Sequence, residues 1–114
     1  MNFPLESPQE LSLKTVEGYT FFKYSDIISF EASGNCTLVH VVHEDKPKKV
    51  LHNFTEVEEK IWGIPIFFKC HRSHIINIEY LNHFCIKRNL LITKKGDVPI
   101  SESYVKAFKE WYCR

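Results

Sequence analysis

The stretch Phe67-Phe68-Lys69-Cys70-His71-Arg72-Ser73-His74-Ile75-Ile76-Asn77-Ile78-Glu79-Tyr80-Leu81 constrains the fold of this chain more than any other. Two short apolar runs, rich in Phe and Ile, flank a polar segment that holds a cation, a hydroxyl and two imidazoles. Apolar runs of this length and composition suit strands. The polar segment then becomes a turn held at the edge of a sheet, where a rigid scaffold presents hydrogen-bonding groups to a partner.

The remaining pattern is also β-rich. Residues 1–10 hold Pro4 and Pro8 without periodicity and read as a linker or N-terminal arm, leaving residues 11–114 as one domain. Leu11–Val16 and Tyr19–Tyr24 alternate about a Glu17-Gly18 turn and form a predicted hairpin. Ile27–Ser33 is strand-like, Gly34-Asn35 breaks it, and Cys36–His43 resumes with Leu38, His40 and Val42 on one face. After a polar loop, Lys48–His52 forms a short strand. Thr55-x-x-Glu58 reads as a capping box opening a two-turn helix that ends at Gly63 and covers a sheet edge. Strands follow near Ile66–Cys70, Ile75–Ile78, His83–Lys87, Leu90–Thr93 and Val98–Ile100. Ser101 caps a final helix with Val105, Phe108 and Trp111 as its apolar stripe. The expectation is a mainly β, antiparallel architecture of nine or ten short strands with two short helices.

Several function classes lose support at once. No apolar stretch is long enough for a membrane-spanning helix, and the N-terminus lacks a secretory pattern. The thiols Cys36, Cys70, Cys85 and Cys113 show no CxxC pairing and are expected reduced, in a cytoplasm. Cys70 beside His71 suggests a nucleophile and base, but neighbours on a strand point to opposite faces. Cys70, His71 and His74, with the scattered His40, His43, His52 and His83, match no zinc-ligand spacing. There is no phosphate-cradling glycine loop. We therefore expect no enzyme, metal or cofactor.

Charge points elsewhere. Residues 1–66 carry six Lys against ten acids, whereas residues 67–114 carry nine Lys and Arg against four acids. The basic half favours an anionic partner. Lys69, Arg72, Lys87, Arg88, Lys94 and Lys95 all lie in or beside predicted turns, where cations neutralise phosphates and Arg can fork onto guanine. Asn35 offers a further polar tip. No helix is basic enough to be a recognition helix, so loops would have to do the reading. A β-sandwich protein-interaction module, with 67–81 a buried hairpin, is the rival.

Four blocks carry a family resemblance. Phe68-x-Cys70-His71-Arg72-Ser73-His74-Ile75-Ile76-Asn77-Ile78 resembles the signature of LytTR (LytR/AlgR-type) DNA-binding domains. Ile27-Ile28-Ser29-Phe30-Glu31-Ala32-Ser33-Gly34-Asn35, the helix 54–61 and Val98-Pro99-Ile100-Ser101 are similar to further family segments in the same order. The resemblance covers about residues 11–113. It implies an elongated fold of about ten strands in three antiparallel sheets, with one short internal helix and a C-terminal helix. It also implies bacterial transcription regulators that bind double-stranded DNA at paired direct repeats, with loops in successive major grooves, and with homodimers on DNA a further possibility. Carried over by position, the implied contacts are Asn35, Cys36 and Thr37; His71, Arg72 and Ser73; and Ser101, Glu102 and Ser103. Lys69, Lys94 and Lys95 complete the expected set. Glu102 and Cys70 depart from the family, which often has Arg at both places. Family members are usually output domains of two-component response regulators with an upstream receiver; the alternatives are a stand-alone or a membrane-linked variant.

Overall fold

Leu11 and Leu13 point inward from the first strand while Glu10, Ser12 and Lys14 stay in water, the period-two burial that their spacing predicts. This strand belongs to a computed structural model that describes residues 9–113. The elements in order are β1 (Glu10–Thr15), β2 (Gly18–Lys23), β3 (Ile27–Ser33), β4 (Cys36–Val41), β5 (Lys48–Val50), α1 (Phe54–Lys60), β6 (Phe67–His71), β7 (His74–Asn77), β8 (Leu81–Cys85), β9 (Leu90–Thr93), β10 (Gly96–Pro99) and α2 (Glu102–Tyr112), with three single 3-10 turns between them. Every strand pairing is antiparallel. The sheets are β1-β2, β5-β4-β3-β7-β6 and β10-β9-β8, in a molecule 50 × 32 × 25 Å in extent. The expected elongated, three-sheet, mainly β fold is what the chain adopts.

The five-stranded sheet is the middle layer. Ile75 joins the core formed with Leu13, Phe30, Val39, Val57 and Ile61, whereas its neighbour Ile76 joins the core formed with Cys70, Leu91, Val98 and Phe108. Successive strand residues face opposite sides. The unbroken apolar run of β7 is therefore that of a strand buried on both faces. One face is covered by α1 and the β1–β2 hairpin, the other by α2 and the β8–β10 sheet. Asn77 sits fully buried between elements: Nδ2 donates to the Ile27 carbonyl at 2.8 Å and to that of Tyr24 at 3.4 Å, and Oδ1 accepts from Glu79 N at 2.9 Å.

Four expectations need correction. The supposed arm lies outside the described residues except for Gln9 and Glu10, and Glu10 already belongs to β1. In β4, Thr37, expected at the interface, is buried with Val39, while Leu38 and His40 share the opposite, half-buried face as their spacing predicts. The Thr37 hydroxyl is satisfied by donating to the His52 carbonyl at 2.9 Å, so this polar residue enters the core and the alternation turns Leu38 outward. In α2, Trp111 is 65% exposed, and Tyr104, Phe108 and Tyr112 form the packed stripe with Val105. A spacing of three drifts by 60° per step on a helix of 3.6 residues per turn, so Trp111 rotates away from Val105's face.

The fourth concerns α1, whose cap is Asn53 rather than Thr55: Asn53 Oδ1 accepts from Glu56 N at 2.8 Å. Its buried face (Phe54, Val57, Ile61) packs on the middle of the large sheet rather than on an edge. Asn53→Ala is expected to cost about 1 kcal/mol by urea denaturation. Thr55→Ala, an exposed position within the first turn, should stay within about 0.5 kcal/mol of the unsubstituted chain. Equal losses at both positions would refute this assignment of the cap.

Candidate nucleic-acid interface

Two tight turns and a helix start meet at one end of the molecule. Gly34, at φ 59, and Asn35 close the β3–β4 hairpin, in which Ser33 pairs with Cys36. A left-handed backbone there is what glycine tolerates without strain. Arg72 and Ser73 close the β6–β7 hairpin, in which His71 pairs with His74. Because β3 runs antiparallel to β7, with Glu31 opposite His74, the two turns emerge side by side. Ala32 N donates to the Ser73 carbonyl at 2.9 Å and fastens them together.

The third segment joins by another backbone bond. Ser101 N donates to the Cys70 carbonyl at 2.9 Å, setting the first turn of α2 against the base of the 71–74 turn. Ser101 occupies the N-cap position, but its hydroxyl lies 3.4 Å from that of Ser103 and caps no amide. Asn89, in the left-handed region at φ 50, accepts from Ile100 N through its carbonyl at 3.1 Å, and its Nδ2 donates to Glu102 Oε2 at 3.4 Å. The carboxylate at Glu102 is thus held over the positive end of α2, a favourable place for an anion. The same contact brings the exposed Lys87 and Arg88 beside the helix start.

Asn35, Arg72, Glu102 and Ser103 are exposed, and Cys36, His71, Ser73 and Ser101 are half-buried. Arg72 is the exposed member of its turn, with Ser73 half-buried beside it. Beneath it, His71 Nδ1 lies 2.9 Å from Ser73 Oγ, which lies 3.1 Å from His74 Nδ1. Behind His74, Glu31 pairs with His40 at 2.9 Å.

Four expected contact residues are placed elsewhere. Thr37 has no exposed surface and offers nothing to a partner. Lys69 points toward α1, 3.0 Å from Glu58 and 5.9 Å from the centre of the Phe54 ring. Lys94 and Lys95 form the β9–β10 turn, at the far end of those strands from Leu90, Pro99 and the helix start. Lys95 Nζ donates there to the Glu44 carbonyl at 2.6 Å. Conversely, Lys87 and Arg88 are legible in the sequence only as loop cations; their place beside α2 depends on the contact of Asn89 with Glu102.

The Cys70 thiol is not placed to act as a nucleophile. Cys70 is fully buried with Sγ directed at the His74 carbonyl, 3.6 Å away. Burial pushes its pKa up to about 12, so at neutral pH it holds no thiolate to attack with. A cavity of about 630 Å³ opens between α1 and α2, rimmed by the exposed Trp62 and Trp111. Its charged lining residues, Glu58 and Lys69, satisfy each other.

The family model described as the LytTr DNA-binding domain matches residues 17–112. Among solved structures, the chain is similar to the LytTr DNA-binding domain of a putative methyl-accepting/DNA response regulator from Bacillus cereus. The TM-score is 0.74 at 24% sequence identity, over 91% of this chain and 96% of that one. At that identity the likeness is one of fold. No curated protein matches.

Proposed function

The chain belongs to the LytTR DNA-binding domain family, and on that premise we propose that it binds double-stranded DNA sequence-specifically as the output domain of a bacterial transcription regulator. Two backbone hydrogen bonds carry the reading: Ala32 N to Ser73 O and Ser101 N to Cys70 O gather three polar, solvent-facing segments at one end of a rigid sheet. A major groove about 12 Å wide admits a two-stranded ribbon, and the β6–β7 hairpin that ends in Arg72-Ser73 is such a ribbon. Arg72 reads a base edge, while Asn35, Cys36, His71, Ser73, Ser101 and Ser103 supply shorter polar contacts beside it. Lys87 and Arg88 sit where they can neutralise backbone phosphates, which fixes register without reading sequence. Glu102, where the family often has Arg, repels phosphate and selects against a guanine contact. It is suited to accept from a cytosine amine.

The full proposal is occupation of successive major grooves at paired direct repeats by two copies of the chain, under the control of a receiver or sensor region upstream. No catalysis is assigned to it. Titrating a duplex that carries a direct repeat at several salt concentrations tests the core of this. Log K should fall linearly with log salt, with a slope of about −0.9 per phosphate neutralised. Absence of salt-dependent binding to any duplex would exclude DNA as the partner.

A further inference from the structure

The turn that presents Arg72 contains a hydrogen-bond relay with one self-consistent proton arrangement. A backbone N–H can only donate, and Ser73 N lies 3.2 Å from His71 Nδ1. That nitrogen therefore carries its lone pair, and the proton of a neutral His71 sits on Nε2. The Ser73 hydroxyl, 2.9 Å from the same Nδ1, is assigned as a second donor sharing that lone pair in a three-centre bond, an arrangement that avoids two lone pairs facing each other. With its own proton so used, Ser73 Oγ accepts at 3.1 Å from His74, which is consequently protonated on Nδ1. The relay runs from His74 Nδ1–H to Ser73 Oγ–H to His71 Nδ1. Among the described residues, no hydrogen bond engages His71 Nε2, and no buried side-chain nitrogen or oxygen lacks a partner. His71 Nε2–H therefore opens to solvent, next to Arg72.

We propose, resting on the DNA-binding reading above, that Ser73 and His74 are positioning residues that hold His71 neutral, with its Nε2–H presented as a donor to an acceptor on the duplex, and that acid dismantles this arrangement. Protonating His71 would put Nδ1–H opposite Ser73 N–H, two donors face to face, so the turn must open to accommodate the charge. The charges around His74 are mixed: Glu31 on β3 and Asp97 on β10 favour its protonation, whereas His71, His40 on β4 and Lys95 in the β9–β10 turn oppose it. Desolvation by burial, aided by His71 and His40 against Glu31, lowers the pKa of His74 below its ordinary value of 6.5. The folded state therefore favours neutral His74, and the stability this contributes is lost as pH falls below that ordinary value, toward the depressed one. The proton gained goes to Nε2 and leaves Nδ1–H in the relay.

Simple electrostatics predicts the opposite trend for affinity, since added positive charge tightens binding to phosphate. The two effects separate on two probes: a duplex selected by the chain from a randomised pool, and a shuffled duplex of equal composition. On acidification from neutral pH, affinity for the shuffled duplex should hold or rise while the preference for the selected one falls. The relay itself is read without DNA, from long-range proton–nitrogen NMR of the 114-residue chain. His71 should appear as the Nε2–H tautomer and His74 as the Nδ1–H tautomer. In Ser73→Ala, His74 should leave the Nδ1–H form and the preference for the selected duplex should fall about tenfold, as for loss of one positioned donor. Ser73→Thr, which keeps the hydroxyl, should restore both. Finding His74 protonated on Nε2 in the unsubstituted chain, or unchanged tautomers and preference in Ser73→Ala, would overturn the proposal. Failure to bind any duplex would overturn the DNA reading and the donor's role with it, while the tautomers would still decide whether the relay exists.

Discussion

Phe108→Ala is expected to remove about 3–5 kcal/mol of stability, the cost of deleting a fully buried aromatic ring and leaving its cavity. Whole-domain stabilities run to about 5–15 kcal/mol, so the loss is a large share of what holds this chain folded. The ring is central to the second core. Its centroid lies 5.5 Å from that of Phe68 on β6, 5.2 Å from Phe84 on β8 and 5.2 Å from Tyr112 one turn along α2. Such edge and tilted contacts add about 0.5–1.5 kcal/mol per pair beyond area burial. Phe108 is thus the point at which helix, middle sheet and third sheet meet. Thermal or urea unfolding with a near-ultraviolet circular dichroism signal checks this. A Tm within a degree or two of the unsubstituted chain would show that α2 is not seated as described. Trp111→Ala, three residues on but exposed, should by contrast be nearly silent.

Arg72→Ala should weaken binding to a selected duplex by about 1–3 kcal/mol, roughly 5–150-fold, and relax discrimination at one base position. The residue is exposed at the tip of a turn whose backbone is fixed through the Ser73 carbonyl and which is flanked by the edge-to-face rings of His71 and His74. Deleting the guanidinium therefore costs contact, not fold, and Tm should hold within about 0.5 kcal/mol of stability. Lys95→Ala is the contrast. Its ammonium is committed to the Glu44 carbonyl at the far end of the β9–β10 hairpin. It can act only through the field, weakening all sequences alike and by less. Binding arrays over single-base variants of the selected duplex distinguish the two. An unchanged specificity profile in Arg72→Ala would remove that residue from base reading.

Much of this architecture is written in local patterns. Leu11 and Leu13 announce their strand by alternation, Gly34-Asn35 its turn, and Ile75-Ile76 a strand buried on both sides. All but one of the departures share a cause, dependence on a partner remote in sequence; the cap of α1 is decided locally. Thr37 looks like a surface residue until the His52 carbonyl takes its hydroxyl proton. Thr55 completes a capping-box pattern, yet Asn53, two residues earlier, reaches the free Glu56 amide first. Trp111 fits an apolar stripe of spacing three, but the surface that α2 meets is aligned with Tyr104, Phe108 and Tyr112. Lys69 looks like a loop cation until Glu58 and Phe54 claim it.

The candidate interface divides in the same way. From the order of residues alone come the mainly β class, the basic second half, the polar turn 71–74 between apolar runs, and the family resemblance. Hydrophobic period and turn chemistry act over a few neighbours, so they survive in one dimension. Which turns share a surface was decided by three-dimensional pairing. Ala32 to Ser73, Ser101 to Cys70 and Asn89 to Glu102 join segments 13 to 41 residues apart and exist only once the sheets have formed. Those bonds assemble Asn35, Arg72 and Ser103 into one face, bring Lys87 and Arg88 beside it, and leave Thr37, Lys69 and Lys95 out.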